Sequence, residues 1–569
     1  MHITLKNPKT KHMKYFFLHF LLFTSALCLA QVNFTSSNLP IVLLETNGQT
    51  IPDEPKISAT MKIIYNGPGV RNEVSTSQYN FVGNIGIEVR GNSSQSFDQK
   101  QYGFETRTPS GENLDTSLLG MPAEKDWVLY APWNDISMIR NVLGYHLWNQ
   151  MDHWGPRTRM VELVLNGNYQ GVYVLTESIK RGDHRVKTAS LKEKDISGIE
   201  LTGGYIMKID AQNSPTDKAF NSSVPGVVSG SGGFGQTPTT TVTWLYHYPE
   251  PKKIQPAQEE YIRKYIDTVE QLLQSPYFND PVNGYKKYLS TQSFLDYFIH
   301  TELSLNADGY KRSAYFYKEK MQKDGSKGKF KAGPVWDLNL AYGNCNFCKA
   351  NQVNAWAYKG CETLPVPAMW GRLLEDPEFA NELKCRYLEL RQGILSDAYI
   401  HSFIDAYADT LNEAQARHFS KWTKLLQTGG GFPGFPGFPG GDLWFSAYRV
   451  SSYAEEIDTL KKWFTARLKF LDNNLPGTCV ITSNAQKTQF HSIQVAPNPA
   501  DDILIIESDE KINSIQLFSS IGQLIIDKTI KSNERRITLK EIEECTPGIY
   551  SLIVHGEDGK VGKKLIVVQ

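Results

Sequence analysis

Residues 305–344, LNADGYKRSAYFYKEKMQKDGSKGKFKAGPVWDLNLAYGN, decide how the rest of the chain is read. They spell an acidic turn, a strand, a Gly/Lys-rich turn, a second strand and a second acidic position. Ala314-Tyr315-Phe316-Tyr317 and the run from Phe330 to Trp336 are aromatic and apolar enough for strands, and Asp324-Gly325 between them is a hairpin signal. In an antiparallel hairpin the start of the first strand lies beside the end of the second. Asp308 and Asp337, 29 positions apart, are therefore expected at one mouth, with Asn339 two residues further along the same strand face. Paired carboxylates at a strand end suit a divalent cation and a phosphate better than they suit a core.

Outward from this segment, the chain of 569 residues predicts two to four domains. A hydrophobic fraction of 40% with 12% aromatics is that of a globular protein with substantial cores. Sixty basic and 60 acidic residues cancel, which argues against nucleic acid or a membrane surface as a global partner. Lys9, Lys11 and Lys14 precede an apolar run from Tyr15 to Ala30, too short for the roughly 20 residues of a membrane span. Residues 1–30 are thus expected to be a signal peptide, and no other segment predicts a transmembrane helix. With Cys28 removed, six cysteines remain. Their even number in an oxidising compartment favours disulfides, while Cys345, Cys348, Cys361 and Cys385 leave a zinc site as the alternative.

The N-terminal half reads as strand-rich: Ile41 to Leu44, Met61 to Tyr65, Gly86 to Arg90, and a hairpin of Val161 to Leu165 with Tyr169 to Leu175 across Asn166-Gly167-Asn168. Helical periodicity covers 256–275, 291–305, 371–392, 396–418 and 451–475. Residues 429–441, GGGFPGFPGFPGG, interrupt that half as a low-complexity insertion. Residues 230–235 match GxGxxG but follow the basic candidates below, the wrong order for a phosphate-covering loop. A polar boundary near 476–489 precedes short strands with turn signals, which predict a small antiparallel β-sandwich over 490–569.

Several ordered motifs carry a resemblance. Arg90-Gly91-Asn92-Ser93-Ser94 with Phe97 and Lys100, Gly171 to Glu177, Gly204-Tyr205-Ile206-Met207-Lys208, Asn306-Ala307-Asp308 and Val335-Trp336-Asp337-Leu338-Asn339 resemble the spore coat protein H (CotH) kinase family. The resemblance implies an α+β fold class for the chain, with an atypical protein-kinase-like catalytic domain over residues 31–480 ahead of the small antiparallel β-sandwich. It implies transfer of the ATP γ-phosphoryl group, with Mg²⁺ or Mn²⁺, to Ser or Thr of a protein substrate. Asp308 then orients the acceptor hydroxyl. Asp337 holds the metal, and Asn339 completes its shell. Arg90, Lys100 and Lys208 are the candidate phosphate contacts, with Glu177 orienting one of them. Gln101 stands where the family often has a second lysine, and Asn339 where it has a second aspartate. The alternative reading is a surface structural or adhesive protein on the same scaffold.

The C-terminus is similar to a type IX secretion C-terminal sorting domain, through Val495-Ala496-Pro497-Asn498-Pro499, Ile521-Gly522-Gln523, Pro547-Gly548-Ile549-Tyr550 and the terminal Lys563 to Gln569. That resemblance implies type IX secretion machinery as a partner. It also implies a secreted or outer-membrane cell-surface destination after signal-peptide export through the periplasm.

Overall fold

Alternation of apolar and polar residues rolls the N-terminal half into a closed barrel. Strand β1 (Ile41–Glu45), β2 (Ile57–Ile64), β3 (Phe81–Arg90), β4 (Gln101–Arg107), β5 (Asp126–Tyr130), β6 (Thr158–Leu165) and β7 (Asn168–Glu177) pair in the order β6-β7-β5-β4-β3-β2-β1. The ring closes where β1 runs parallel to β6, Ile41 opposite Glu162 and Leu44 opposite Leu165. Strand β4 buries every second residue, Tyr102, Phe104 and Thr106. Tyr102 and Phe104 meet Ile85, Ile87, Trp127, Leu129, Val161, Leu163, Tyr173 and Leu175 inside the barrel. Closure leaves no unpaired edge and gives each strand a filled interior.

The computed structural model describes residues 32–229, 239–428, 450–479 and 493–568, except 325, 327, 362–363, 510, 520–523, 531–533 and 557–560. The expected signal peptide, the GxGxxG-like stretch and the FPG repeat lie outside the described residues.

A second sheet carries the segment quoted first. Strands β8 (Tyr205–Ile209), β9 (Ala219–Asn221), β10 (Thr243–Tyr248), β11 (Ala314–Lys318) and β12 (Phe330–Ala332) pair in the order β9-β10-β8-β11-β12. The expected hairpin is present, Phe316 opposite Ala332 and Lys318 opposite Phe330. Its second strand is shorter than expected, ending at Ala332. Gly333, at φ +102°, and Pro334, which has no N–H to give a ladder, stand at the break. Asp337 and Asn339 consequently lie in a loop and not on a strand face.

Helices α1 (Arg140–Gln150), α2 (Pro256–Gln274), α3 (Thr291–Ser304), α4 (Pro377–Arg391), α5 (Asp397–Lys421) and α6 (Tyr453–Asn474) share one large core with the outer face of the barrel and the second sheet. The helix expected over 371–392 is split at Asp376-Pro377: Pro377 opens α4, and Asp376 accepts the Glu378 N–H as its cap. Helix α5 anchors to the barrel where His418 Nδ1 accepts the Val172 N–H at 3.1 Å and Arg417 pairs with buried Glu162 at 2.6 Å.

Disulfides join Cys348 to Cys361 and Cys385 to Cys479, which resolves the zinc alternative against itself. Cys345 and Cys545 are free thiols, so only four of the six cysteines pair. Beyond residue 493, one sheet of Gln494–Ala496, Leu504–Glu507 and Arg536–Leu539 and one of Ile512–Ser519, Leu524–Thr529, Gly548–Gly556 and Val561–Val568 enclose their own core. All their pairings are antiparallel, as expected of the sandwich. No helix among the described residues is long and apolar enough to cross a membrane.

Candidate active site

Between barrel and second sheet lies a cavity of about 680 Å³, lined by Arg90, Lys208, Asp308, Asp337 and Asn339 among others. Its size falls in the ordinary range of ligand sites, roughly 300–1,000 Å³. The cavity thus gathers five of the seven residues named from the sequence. Lys100 and Glu177 are not among its lining residues.

The placement of those two has a physical cause. Lys100 Nζ donates to the carbonyls of Gln95 at 2.8 Å and Phe97 at 2.5 Å. It caps the turn that carries Ser93–Ser96, so its charge faces main chain. Glu177 is fully buried at the end of β7. Its Oε2 accepts the Arg157 N–H at 3.0 Å, and its carboxylate forms ion pairs with Arg157 Nη2 at 2.7 Å and with Arg185. Lys180, the neighbour suggested by sequence proximity, instead pairs with Glu124 and Asp126.

The two aspartates are held by one side chain. Asn306 follows the left-handed Leu305 (φ +43°) that ends α3. Its Nδ2 donates to the Asp337 carbonyl at 3.1 Å, and its Oδ1 accepts the Asp308 N–H at 3.3 Å. Asp337 itself adopts φ +60°, a left-handed conformation that aspartate visits more readily than most side chains and that its surroundings here hold in place. The surroundings are plain. The Asp337 N–H donates to Tyr145 Oη at 3.3 Å, the Leu338 N–H to Asn141 Oδ1 at 2.6 Å, and Asn344 Nδ2 to the carbonyls of Asn134 at 2.6 Å and Asn339 at 2.7 Å. Beneath them, fully buried Arg140 bonds the Ala341 carbonyl and pairs with Asp135 and Glu456, both at 2.6 Å.

Charge in the cavity is balanced unevenly. Burial raises the Asp337 pKa to about 7, Asp308 and Asp210 add to the rise, and Arg90 opposes it. Asp308 is raised too, by burial first, with Asp210 adding and Lys311 and Arg312 opposing. Lys311 is buried behind this pair, its Nζ donating to the Gly309 carbonyl at 3.2 Å, and burial lowers its pKa to about 8. Arg90 lies over the Trp336 ring at 5.5 Å, and Lys208 pairs with Asp210 at 3.1 Å. Carboxylates crowded this way are stabilised by any cation that joins them.

Asn339 commits its NH₂ group to Asn134 Oδ1 at 3.0 Å, which leaves its oxygen to serve a cation. Among the described residues no group of three or more His, Cys, Asp or Glu is arranged to cage a metal alone. Magnesium does not require that, because it is commonly held by one or two carboxylates with phosphates and waters completing the shell. The residues present therefore fit a phosphate-bound divalent cation.

Asp210, Arg312, Tyr130 and Tyr145 also line the cavity, and none of the sequence motifs marks them. Asp210 had a signal: it lies two residues after Lys208 at a strand end, on the same side. Tyr130 and Tyr145 had none, since an aromatic in an apolar run reads as core.

The region bearing the motifs is thus an α+β domain built around one cavity of opposed charges, with a separate β domain at its C-terminal end. The CotH kinase protein profile matches residues 87–471, and the chain belongs to that family. The profile of the secretion system C-terminal sorting domain matches residues 494–568, which makes this an exported member that engages type IX secretion machinery for the cell surface or beyond. A search of curated proteins finds no match.

Proposed function

We propose that the chain is a metal-dependent atypical kinase that moves the ATP γ-phosphoryl group to Ser or Thr hydroxyls of surface or secreted proteins. One observation carries this reading: Asp308 and Asp337 share a cavity with Arg90, Lys208 and Arg312, and one asparagine braces both aspartates. Phosphoryl transfer asks for positioning and charge neutralisation more than for covalent chemistry. Asp308 accepts a hydrogen bond from the acceptor hydroxyl and aligns its oxygen for attack. Asp337 and the Asn339 oxygen would hold the cation. Arg90 and Lys208 meet phosphate oxygens, and Arg312 faces the same space. When bound, Mg²⁺ or Mn²⁺ supplies neutralisation of charge developing on the phosphates.

The test is transfer of γ-labelled phosphate by the purified protein with Mg²⁺ or Mn²⁺, comparing wild type with Asp308→Ala and Asp337→Ala. The reading expects labelled protein that both variants lose by roughly a hundredfold or more. Metal-dependent ATP binding should disappear in Asp337→Ala and survive in Asp308→Ala. Equal labelling in all three proteins, or no metal-dependent ATP binding by folded wild type, sinks it. The second reading, a surface scaffold without turnover, draws on Asn339 standing where the family has an aspartate. It expects partner binding that Asp308→Ala leaves untouched.

A further inference from the structure

Strand β5 ends at Tyr130, and the end of that strand reaches the cavity. Tyr130 is only 5% exposed, yet it lines the cavity with Asp337, Asn134, Asn141 and Tyr145. Its ring packs in the main core beside Val128 and Trp133. Its hydroxyl is buried and has no hydrogen-bond partner among the described residues. Buried polar groups are nearly always paired, and leaving one unpaired is costly, so a phenol in this state calls for a ligand atom.

The surroundings narrow what that atom is. After burial, the influences that most raise the Tyr130 pKa are Asp135 and then Asp337. Asp135 is already matched by Arg140 and by Ser137, whose hydroxyl donates to it at 2.5 Å. Asp337 is thus the charge near Tyr130 that no ion pair among the described residues matches. At neutral pH a phenol carries its proton, so it can donate to an anion but cannot replace a metal-binding carboxylate. A group able to meet both Asp337, through a cation, and an O–H donor is a phosphate oxygen.

Resting on the phosphoryl-transfer reading, we infer that the Tyr130 hydroxyl donates a hydrogen bond to a phosphate oxygen of the metal-bound polyphosphate, on the barrel side of Asp337. Arg90 comes to the same ligand from the end of β3, two strands away across β4 in the sheet order. The barrel then supplies one neutral donor and one charged donor, and the Asp337 loop supplies the cation site. Tyr130 is a binding residue here, and the acceptor hydroxyl remains with Asp308.

Tyr130→Phe in the full chain separates this role from a structural one, because the two roles move the unliganded protein in opposite directions. Thermal melting is followed without ligand, with Mn²⁺ and ATP, and with Mn²⁺ and tripolyphosphate. Removing a partnerless buried O–H should leave the unliganded melting temperature unchanged or raise it. Affinity for both polyphosphates should fall roughly tenfold to a hundredfold, the span of a hydrogen bond to a charged group. A lower unliganded melting temperature with undiminished ligand shifts would make Tyr130 structural and overturn the inference. So would a loss seen with ATP and not with tripolyphosphate, which would move the contact to the nucleoside. If wild type responds to neither ligand, the phosphoryl-transfer reading fails first. If wild type responds and the variant responds equally, only the Tyr130 assignment falls.

Discussion

Two walls of the cavity carry family motifs, and they are built on opposite plans. The floor, around Asp308 and Asp337, is interlocked by Asn306, Asn141, Asn344 and Arg140, all of them buried and each bonding main chain of a motif loop. The rim, from Gly91 to Ser96, is largely exposed. It relies on Gln95 Nε2 bonding Asp53 at 2.7 Å and the Gly91 carbonyl at 2.8 Å, on Asn92 reaching Asn213 at 3.0 Å, and on the Lys100 cap. The floor is specified by groups that cannot leave without stranding a buried partner, whereas the rim is specified by bonds that water can replace. One kind of residue, asparagine, thus serves rigid placement on one side and loop closure on the other.

Arg140→Met attacks the floor hardest. It leaves Asp135 and Glu456 buried without their cation, and the expected cost is about 3–5 kcal/mol in denaturant unfolding. A loss below about 1 kcal/mol would mean that the floor is no more interlocked than the rim. Next comes Asn306→Ala, which frees the Asp308 and Asp337 loops from each other. About 1–3 kcal/mol of stability should go, and transfer should slow by roughly a hundredfold through misplacement. Unchanged turnover in a folded variant would show that the brace is incidental.

A third measurement uses pH. The native pKa of Asp337, about 7, lies above its ordinary 3.8, so the folded protein binds the extra proton between those values. Stability of the metal-free protein from this group is therefore greatest below about pH 4 and declines as pH rises toward 7. Asp337→Asn should flatten that decline and gain about 1–2 kcal/mol at pH 7–8, allowing for partial solvent screening. Cation affinity should run the other way, weakening as pH falls below about 7. A variant with the same pH profile as wild type would show that burial of this carboxylate carries little of the floor's tension. The smallest effect belongs to the rim: Lys100→Ala should cost at most about 1 kcal/mol and raise KM several-fold with kcat nearly intact. A kcat collapse there would place Lys100 at the phosphates after all.

Much of this contrast was legible in the chain. Asp308 and Asp337 were brought together by one hairpin, whose strand pairing depends on local pattern and turn chemistry alone. Helices α2, α3, α5 and α6 announce themselves through apolar periodicity, and the break at Asp376-Pro377 was available to a stricter reading of proline. The barrel was not, because Ile41–Leu44 pairs with Glu162–Leu165 across more than a hundred residues, and periodicity holds no record of partners. Glu177 illustrates the same limit: a charge near Lys180 in sequence finds Arg157 and Arg185 in space. Asp210 and Tyr130 were missed for different reasons. The first lies two residues past the Gly204–Lys208 motif, and the second differs from any core tyrosine only by where its hydroxyl stops.

The bond between Cys385 and Cys479 ties α4 to a point just past the end of α6, 15 residues before the sorting domain begins at residue 494. Gly477, at φ +94°, turns the chain there against the Ala380 carbonyl of α4. Tension applied at the tail of the chain would reach α4 through this staple. With this staple in place, a cut beyond Cys479 releases a cargo whose new carboxyl terminus is already fastened. The pull is borne by a covalent link and not by the hydrogen bonds of the last helical turn.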